Sequence, residues 1–238
     1  MRTPAVCCLI LFLFLLPPAS QAQRNPKQTN VIQATFYSGP TSYEPDPDHR
    51  MWKKAGSVTF QHDAIGDPLV DHRTTVRALW TSDTLWLLFA CGYDDKLTIG
   101  PDAQSAKETN KLWEVSDVAE AFIAPNPDDI MRYKEFEVSP GSQWVDLDIN
   151  RTTKNHDASW NSGFRSAARI DQGKHIWYAL MAIPLKAFGV PTPTPGARWR
   201  LNFFRSEFGP PRRTVVWQPT HERNFHVPDR FGWMEFKK

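Results

Sequence analysis

The chain has 238 residues and carries 28 Lys and Arg against 26 Asp and Glu. So even a balance gives no electrostatic case for nucleic acid or an anionic membrane as partner. Two of the three cysteines lie within the first eight residues, which leaves Cys91 alone in the rest of the chain. No internal disulfide is expected, and the domain must be held by its core.

The first element is a secretory signal. Met1-Arg2 places a positive charge ahead of the apolar run Val6 to Leu16, and Ala19-Ser20-Gln21-Ala22 supplies small residues for cleavage after Ala22. The run has eleven residues, whereas a membrane span needs about 20. Residues 1–22 are therefore read as a signal peptide. Residues 23–238 are read as one exported domain, periplasmic or extracellular, monomeric and free of the membrane after cleavage.

Strand signals come next. Val31 to Tyr37 is strand-like, and His49 to Ala55 suits a short helical turn. Thr75 to Trp80 alternates, with Val76, Ala78 and Trp80 on one face. Ser82-Asp83 turns the chain, and Leu85 to Tyr93 returns apolar on both faces, as a central strand of a hairpin would. Further strands are expected at 118–124, 133–138, 144–149, 163–170, 176–183, 199–205 and 214–217. Pro, Gly and Asp turns separate them. No helical stripe of three turns interrupts this pattern. Short strands with such punctuation predict an all-β fold: a two-sheet antiparallel β-sandwich, jelly-roll-like, in a single domain. Cys91 falls in an apolar strand and is read as a buried, inert thiol.

The usual catalytic signatures are missing: no GxSxG, no phosphate loop, no dinucleotide-binding glycines. His221-Glu222-Arg223-Asn224-Phe225-His226 is not a zinc-protease helix, because its histidines are five apart and one helix face cannot present both. Carboxylates are more informative. Glu120 lies in one strand, Glu135 and Glu137 alternate along the next, and Asp146 and Asp148 along the one after. Paired carboxylates suit a glycoside hydrolase, but alternation also produces an ordinary solvated face. The loop pairs Asp94-Asp95 and Asp128-Asp129 are either solvated acids or ligands of a structural calcium ion. Met131, Met181, Met234 and the seven histidines supply haem ligands in kind, but no spacing selects a pair.

Ten tryptophans are present. Trp80, Trp86, Trp177 and Trp199 lie in apolar strands and belong to the core. Trp113 instead comes after the polar stretch Ala106 to Lys111 and precedes the strand bearing Glu120. An indole packs on the apolar C–H face of a sugar ring, and acidic, amide and guanidinium groups bond its hydroxyls. Plugging the open end of a sandwich is the alternative role for Trp113.

Residues 113–122, Trp113-Glu114-Val115-Ser116-Asp117-Val118-Ala119-Glu120-Ala121-Phe122, resemble a block of the family 9 carbohydrate-binding modules. Similar blocks succeed it in the family's order: Tyr133 to Val138 with Pro140-Gly141, Ala182-Ile183-Pro184, Trp199 to Arg205, and Trp217 with Phe225 to Gly232. The resemblance covers residues 75–238. It implies a β-sandwich, often with bound calcium, that binds a carbohydrate ligand; the missing catalytic motifs argue for binding rather than cutting, with a glycoside hydrolase as the alternative. It further implies that two aromatics clamp the sugar. Trp113 takes the first place, and Phe225 stands where a tryptophan forms the second. Glu120 matches the family's strand glutamate, Glu137 replaces an arginine, and Phe204 replaces a glutamine. Arg205 and His226 complete the candidate ligand-binding set of Trp113, Glu120, Glu137, Arg205, Phe225 and His226. Asn202 is assigned a structural role, and Arg205 either bonds ligand or pairs with Glu135 and Glu137.

Overall fold

The computed structural model describes residues 30–94, 96–101 and 107–238. The expected signal peptide and its cleavage point lie outside these residues, as does Asp95. Among the described residues the alternating segments form thirteen strands. They are β1 (Val31–Phe36), β2 (Gly56–Phe60), β3 (Thr74–Trp80), β4 (Thr84–Gly92), β5 (Val118–Ala124), β6 (Arg132–Val138), β7 (Trp144–Asn150), β8 (Asn155–Asp157), β9 (Arg165–Asp171), β10 (Ile176–Pro184), β11 (Arg198–Glu207), β12 (Arg213–Val216) and β13 (Gly232–Lys237). The hairpin of β3 and β4 forms where it was expected. Asp83 holds its turn by accepting hydrogen bonds from the Thr81 and Thr84 hydroxyls at 2.8 and 2.9 Å.

The strands run in the order β8-β7-β6-β5-β11-β13-β1-β3-β4-β10-β9, with β12 beside β11 and β2 beside β3. This continuous sheet curls so that one half packs on the other. Inward residues of β5, β6 and β11 meet those of β3, β4 and β10 in a shared core. Phe203 and Phe89 mark the contact, edge to face with centroids 5.5 Å apart. The sandwich is thus as expected, with one difference in detail: β1 pairs in parallel with both β13 and β3 and stitches the two layers together. β2, β8 and β13 were not foreseen as separate strands. β8 spans only three residues, too few for alternation to register.

Strands apolar on both faces must be covered on both. β4 shows how. Leu85, Leu87, Phe89 and Cys91 face the inter-layer core. Trp86 and Leu88 face outward under Met51 and Trp52 of a 3-10 turn at Arg50–Lys54. Cys91 is fully buried, and desolvation pushes its thiol up to about 12. Met181 and Met234 also lie in the inter-layer core. The outer face of the β5–β6 half is covered differently. Leu112, Phe231 and partly buried Trp113 and Phe225 pack over Phe122, Tyr133 and Phe204. On the inner side a glycine is required at Gly232, because a Cβ there would lie 2.6 Å from the Trp217 indole of the inter-layer core.

Candidate functional site

The site grows from strand register. In the β5–β6 pair Glu120 lies opposite Glu137 and Phe122 opposite Glu135. Side chains two apart share a face, so all three glutamates project outward from the sandwich together. On the other side of β5, Phe204 lies opposite Glu120, and Ser206 is the next residue on the same face of β11. The Ser206 hydroxyl donates to Glu120 Oε1 at 2.6 Å.

Trp113 reaches this face from a 3-10 turn at Leu112–Glu114, entered through a left-handed Lys111. Buried Leu112 anchors the turn. Asp117 fixes the exit from the turn into β5 by accepting from the backbone N–H of Phe208 at 2.7 Å and of Thr98 at 3.1 Å. Phe225 stacks on Phe204 at 4.5 Å and 13°. His226 stacks on Phe122 and shares a 2.6 Å hydrogen bond with the Tyr133 hydroxyl. Arg212 reaches over the opening and donates to the Trp113 carbonyl at 2.6 Å.

These residues enclose a cavity of about 520 Å³, within the range that holds a small ligand. Glu120, Glu135, Glu137 and Ser206 form its floor. Trp113, Phe122, Leu147, Phe225 and His226 form its walls, and Arg212, Arg223, Asn224, Thr214 and His156 its rim.

The floor is electrostatically unusual. Glu120, Glu135 and Glu137 are 3, 4 and 1% exposed, so the solvated-face alternative fails for them. Desolvation pushes Glu120 up to about 7, opposed by the Ser206 hydrogen bond and by Arg212. Desolvation and the Glu120 charge push Glu135 up to about 8. Glu137 lies well above the usual carboxylate range for the same reasons. His226 is held neutral, down to about 3, by burial and then by His156 and Arg151.

Five of the six expected site residues line this cavity: Trp113, Glu120, Glu137, Phe225 and His226. Arg205 does not. It sits one residue from Phe204 on β11 and therefore faces the inter-layer core, where it is fully buried. There it donates to Glu207 and to the Gly92 carbonyl rather than to Glu135 or Glu137. Asn202 is structural: its side chain donates to the Gln218 carbonyl and accepts from the Gln218 and Phe203 backbone N–H groups. Asp146 and Asp148 also stay out of the cavity, bonded to Ser162 and Lys134. Of the loop acids weighed for calcium, Asp94 pairs with Arg213 and Asp129 with Arg132; Asp95 lies outside the described residues.

Arg212, Arg223, Asn224 and Ser206 were not foreseen as site residues. The only sequence signal for the rim was the 221–226 segment itself. It forms a loop in which His221 bonds the Ile65 carbonyl, while the residues after it close the cavity wall.

Residues 48–238 match the family described as carbohydrate family 9 binding domain-like. The chain belongs to this family. Solved structures agree on the fold. A Bacteroides uniformis chain to which carbohydrate binding has been ascribed superposes with a TM-score of 0.67 at 15% identity, covering 87% of this chain and 99% of that one. A family 9 carbohydrate-binding module from Caldicellulosiruptor kristjanssonii, in complex with cellotriose, gives 0.62 at 16% identity over 87% of this chain and 93% of that one. The same kind of module in complex with glucose gives 0.61 at 16% identity, covering 87% and 95%. No curated protein matches this sequence at a significant level.

Proposed function

We propose that this family 9-like domain is an exported carbohydrate-binding protein that takes a sugar into the cavity between Trp113 and Phe225. The observation that carries the reading is the pairing of two aromatic walls with a polar floor in one open cavity. Phe225 already rests one ring face on Phe204, so its position is fixed before a ligand arrives. Trp113 is held by a buried neighbour and by the Arg212 contact to its carbonyl. Preorganised flat surfaces bind at small entropic cost. The ring's apolar face packs on the indole, and Arg212, Arg223 and Asn224 offer donors to the hydroxyls. The glutamate oxygens offer acceptors, and a protonated carboxyl among them offers a donor as well.

Titrating the purified protein with a glycan panel that includes glucose and cellotriose, monitored by intrinsic fluorescence, tests the reading. Saturable binding at about 1–10 mM or tighter is expected; a flat response across the panel sinks it. Export rests on the charged start, the short apolar run and the small residues before Gln23. N-terminal sequencing of protein recovered outside the cytoplasm should begin at Gln23, and an uncleaved Met1 would count against it.

A further inference from the structure

The cavity floor gathers more carboxyl groups than the protein around it satisfies. Glu120, Glu135 and Glu137 bring one carboxylate oxygen each within 4.8 Å of one another. Ser206 satisfies Glu120 Oε1. The Glu135 and Glu137 carboxyls hydrogen-bond each other, yet the Oε2 atoms of both are buried and have no partner, although both residues, only 4 and 1% exposed, line the cavity. Leaving a buried carboxylate oxygen unpaired costs more than leaving a neutral group so. Arg212, whose charge acts on Glu120 and Glu137, is exposed and already donates to the Trp113 carbonyl.

Geometry decides what answers these oxygens. Calcium–oxygen bonds of about 2.3–2.6 Å put opposite ligands roughly 4.6–5.2 Å apart. Three oxygens within 4.8 Å of one another fit inside one such sphere. An all-carboxylate donor set selects a hard cation over zinc or copper, which favour nitrogen and sulfur. The three donors stand on two adjacent hydrogen-bonded strands, so the set is rigid. Three protein ligands leave further positions of a six- to eight-coordinate ion facing the cavity.

We propose that Glu120, Glu135 and Glu137 bind one hard divalent cation, calcium foremost, at the floor of the cavity. The described loop acids Asp94, Asp128 and Asp129 are not part of this site. The site rests on the chain's own donors and stands whether or not a sugar binds above it.

Isothermal titration of chelator-treated protein with calcium chloride alone, at pH 8, tests the site. One ion per chain is expected, with a Kd below about 1 mM, and with protons released on binding. A Glu120→Gln, Glu135→Gln, Glu137→Gln variant should bind at least about 100-fold more weakly. Its fold should persist, because glutamine keeps the shape and removes the repulsion; circular dichroism checks this. Asp94→Asn, outside the cavity floor, should bind as the parent does. No binding of calcium by the parent overturns the site, as does full binding by the folded triple variant. Should the triple variant fail to fold, Glu137→Gln alone serves, and unweakened binding by it overturns the site. Glycan titration with and without calcium then separates this inference from the sugar reading. Calcium binding without any sugar response leaves the cation site standing alone.

Discussion

The two outer faces of the sandwich solve the same problem in opposite ways. Over β4 and β10, Met51 and Trp52 close on Trp86, Leu88, Tyr178 and Leu180, leaving an apolar layer. Over β5 and β6, an apolar margin of Leu112, Phe204 and Phe231 surrounds three buried glutamates and a cavity of about 520 Å³. The first face commits its strand side chains to stability. The second gives up part of that stability, since desolvated carboxyls lift their own proton affinity. Polar groups that cost folding energy at an open cavity point to a ligand rather than to architecture.

Substitutions can separate the two faces. Trp86→Ala should have the largest effect, a loss of about 3–5 kcal/mol in a denaturant titration, because a buried indole leaves a large void. Sugar binding by the remaining folded protein should be unchanged. If Trp86→Ala instead abolished binding at unchanged stability, the roles of the faces would be reversed.

The pH dependence of stability comes next. The folded glutamates hold protons that the unfolded chain releases above its ordinary value of 4.5. These groups make the folded state bind more protons between about 4.5 and about 8, while buried His226, neutral down to about 3, opposes them below its ordinary value of 6.5; stability is therefore expected to fall as pH rises between about 6.5 and about 8. The groups facing one another are Glu120, Glu135 and Glu137, with the Arg212 charge acting on Glu120 and Glu137. In chelator the melting temperature should fall as pH rises through that window, and Glu135→Gln should reduce the fall. A profile that rises over this window would contradict the burial of the trio.

Trp113→Ala should weaken sugar binding at least tenfold, about 1.4 kcal/mol, while costing about 1 kcal/mol or less in stability. A large drop in melting temperature would make Trp113 a plug of the sandwich end. The smallest effect is expected for Phe225→Trp, which enlarges the stacking surface. Its affinity should rise by about 2–5-fold, and an unchanged affinity would place the sugar away from that wall.

Much of the fold was legible because alternation and turn residues are local. The β3–β4 hairpin, the doubly apolar β4 and the buried Cys91 all stem from short windows of sequence. Part of the site was legible for the same reason: Glu120, Glu135 and Glu137 lie on neighbouring strands, and alternation puts each pair on one face. What alternation does not give is cover. The burial of the trio comes from loops around Trp113 and Phe225, which are distant in sequence, so a solvated face and a cavity floor look alike along the chain. Arg212, Arg223 and Asn224 were hidden because loops place them by tertiary packing. Arg205 was misplaced although its parity opposite Phe204 was visible. Its buried partners, Glu207 and the Gly92 carbonyl, satisfy a guanidinium inside the core, an uncommon place for one.

The comparison of faces is tested most directly by the indole N–H resonances of the ten tryptophans during titration with the tightest sugar of the panel. The Trp113 resonance should shift and saturate while those of Trp52 and Trp86, on the opposite face, stay in place. Movement of Trp52 or Trp86 with Trp113 unmoved would contradict it.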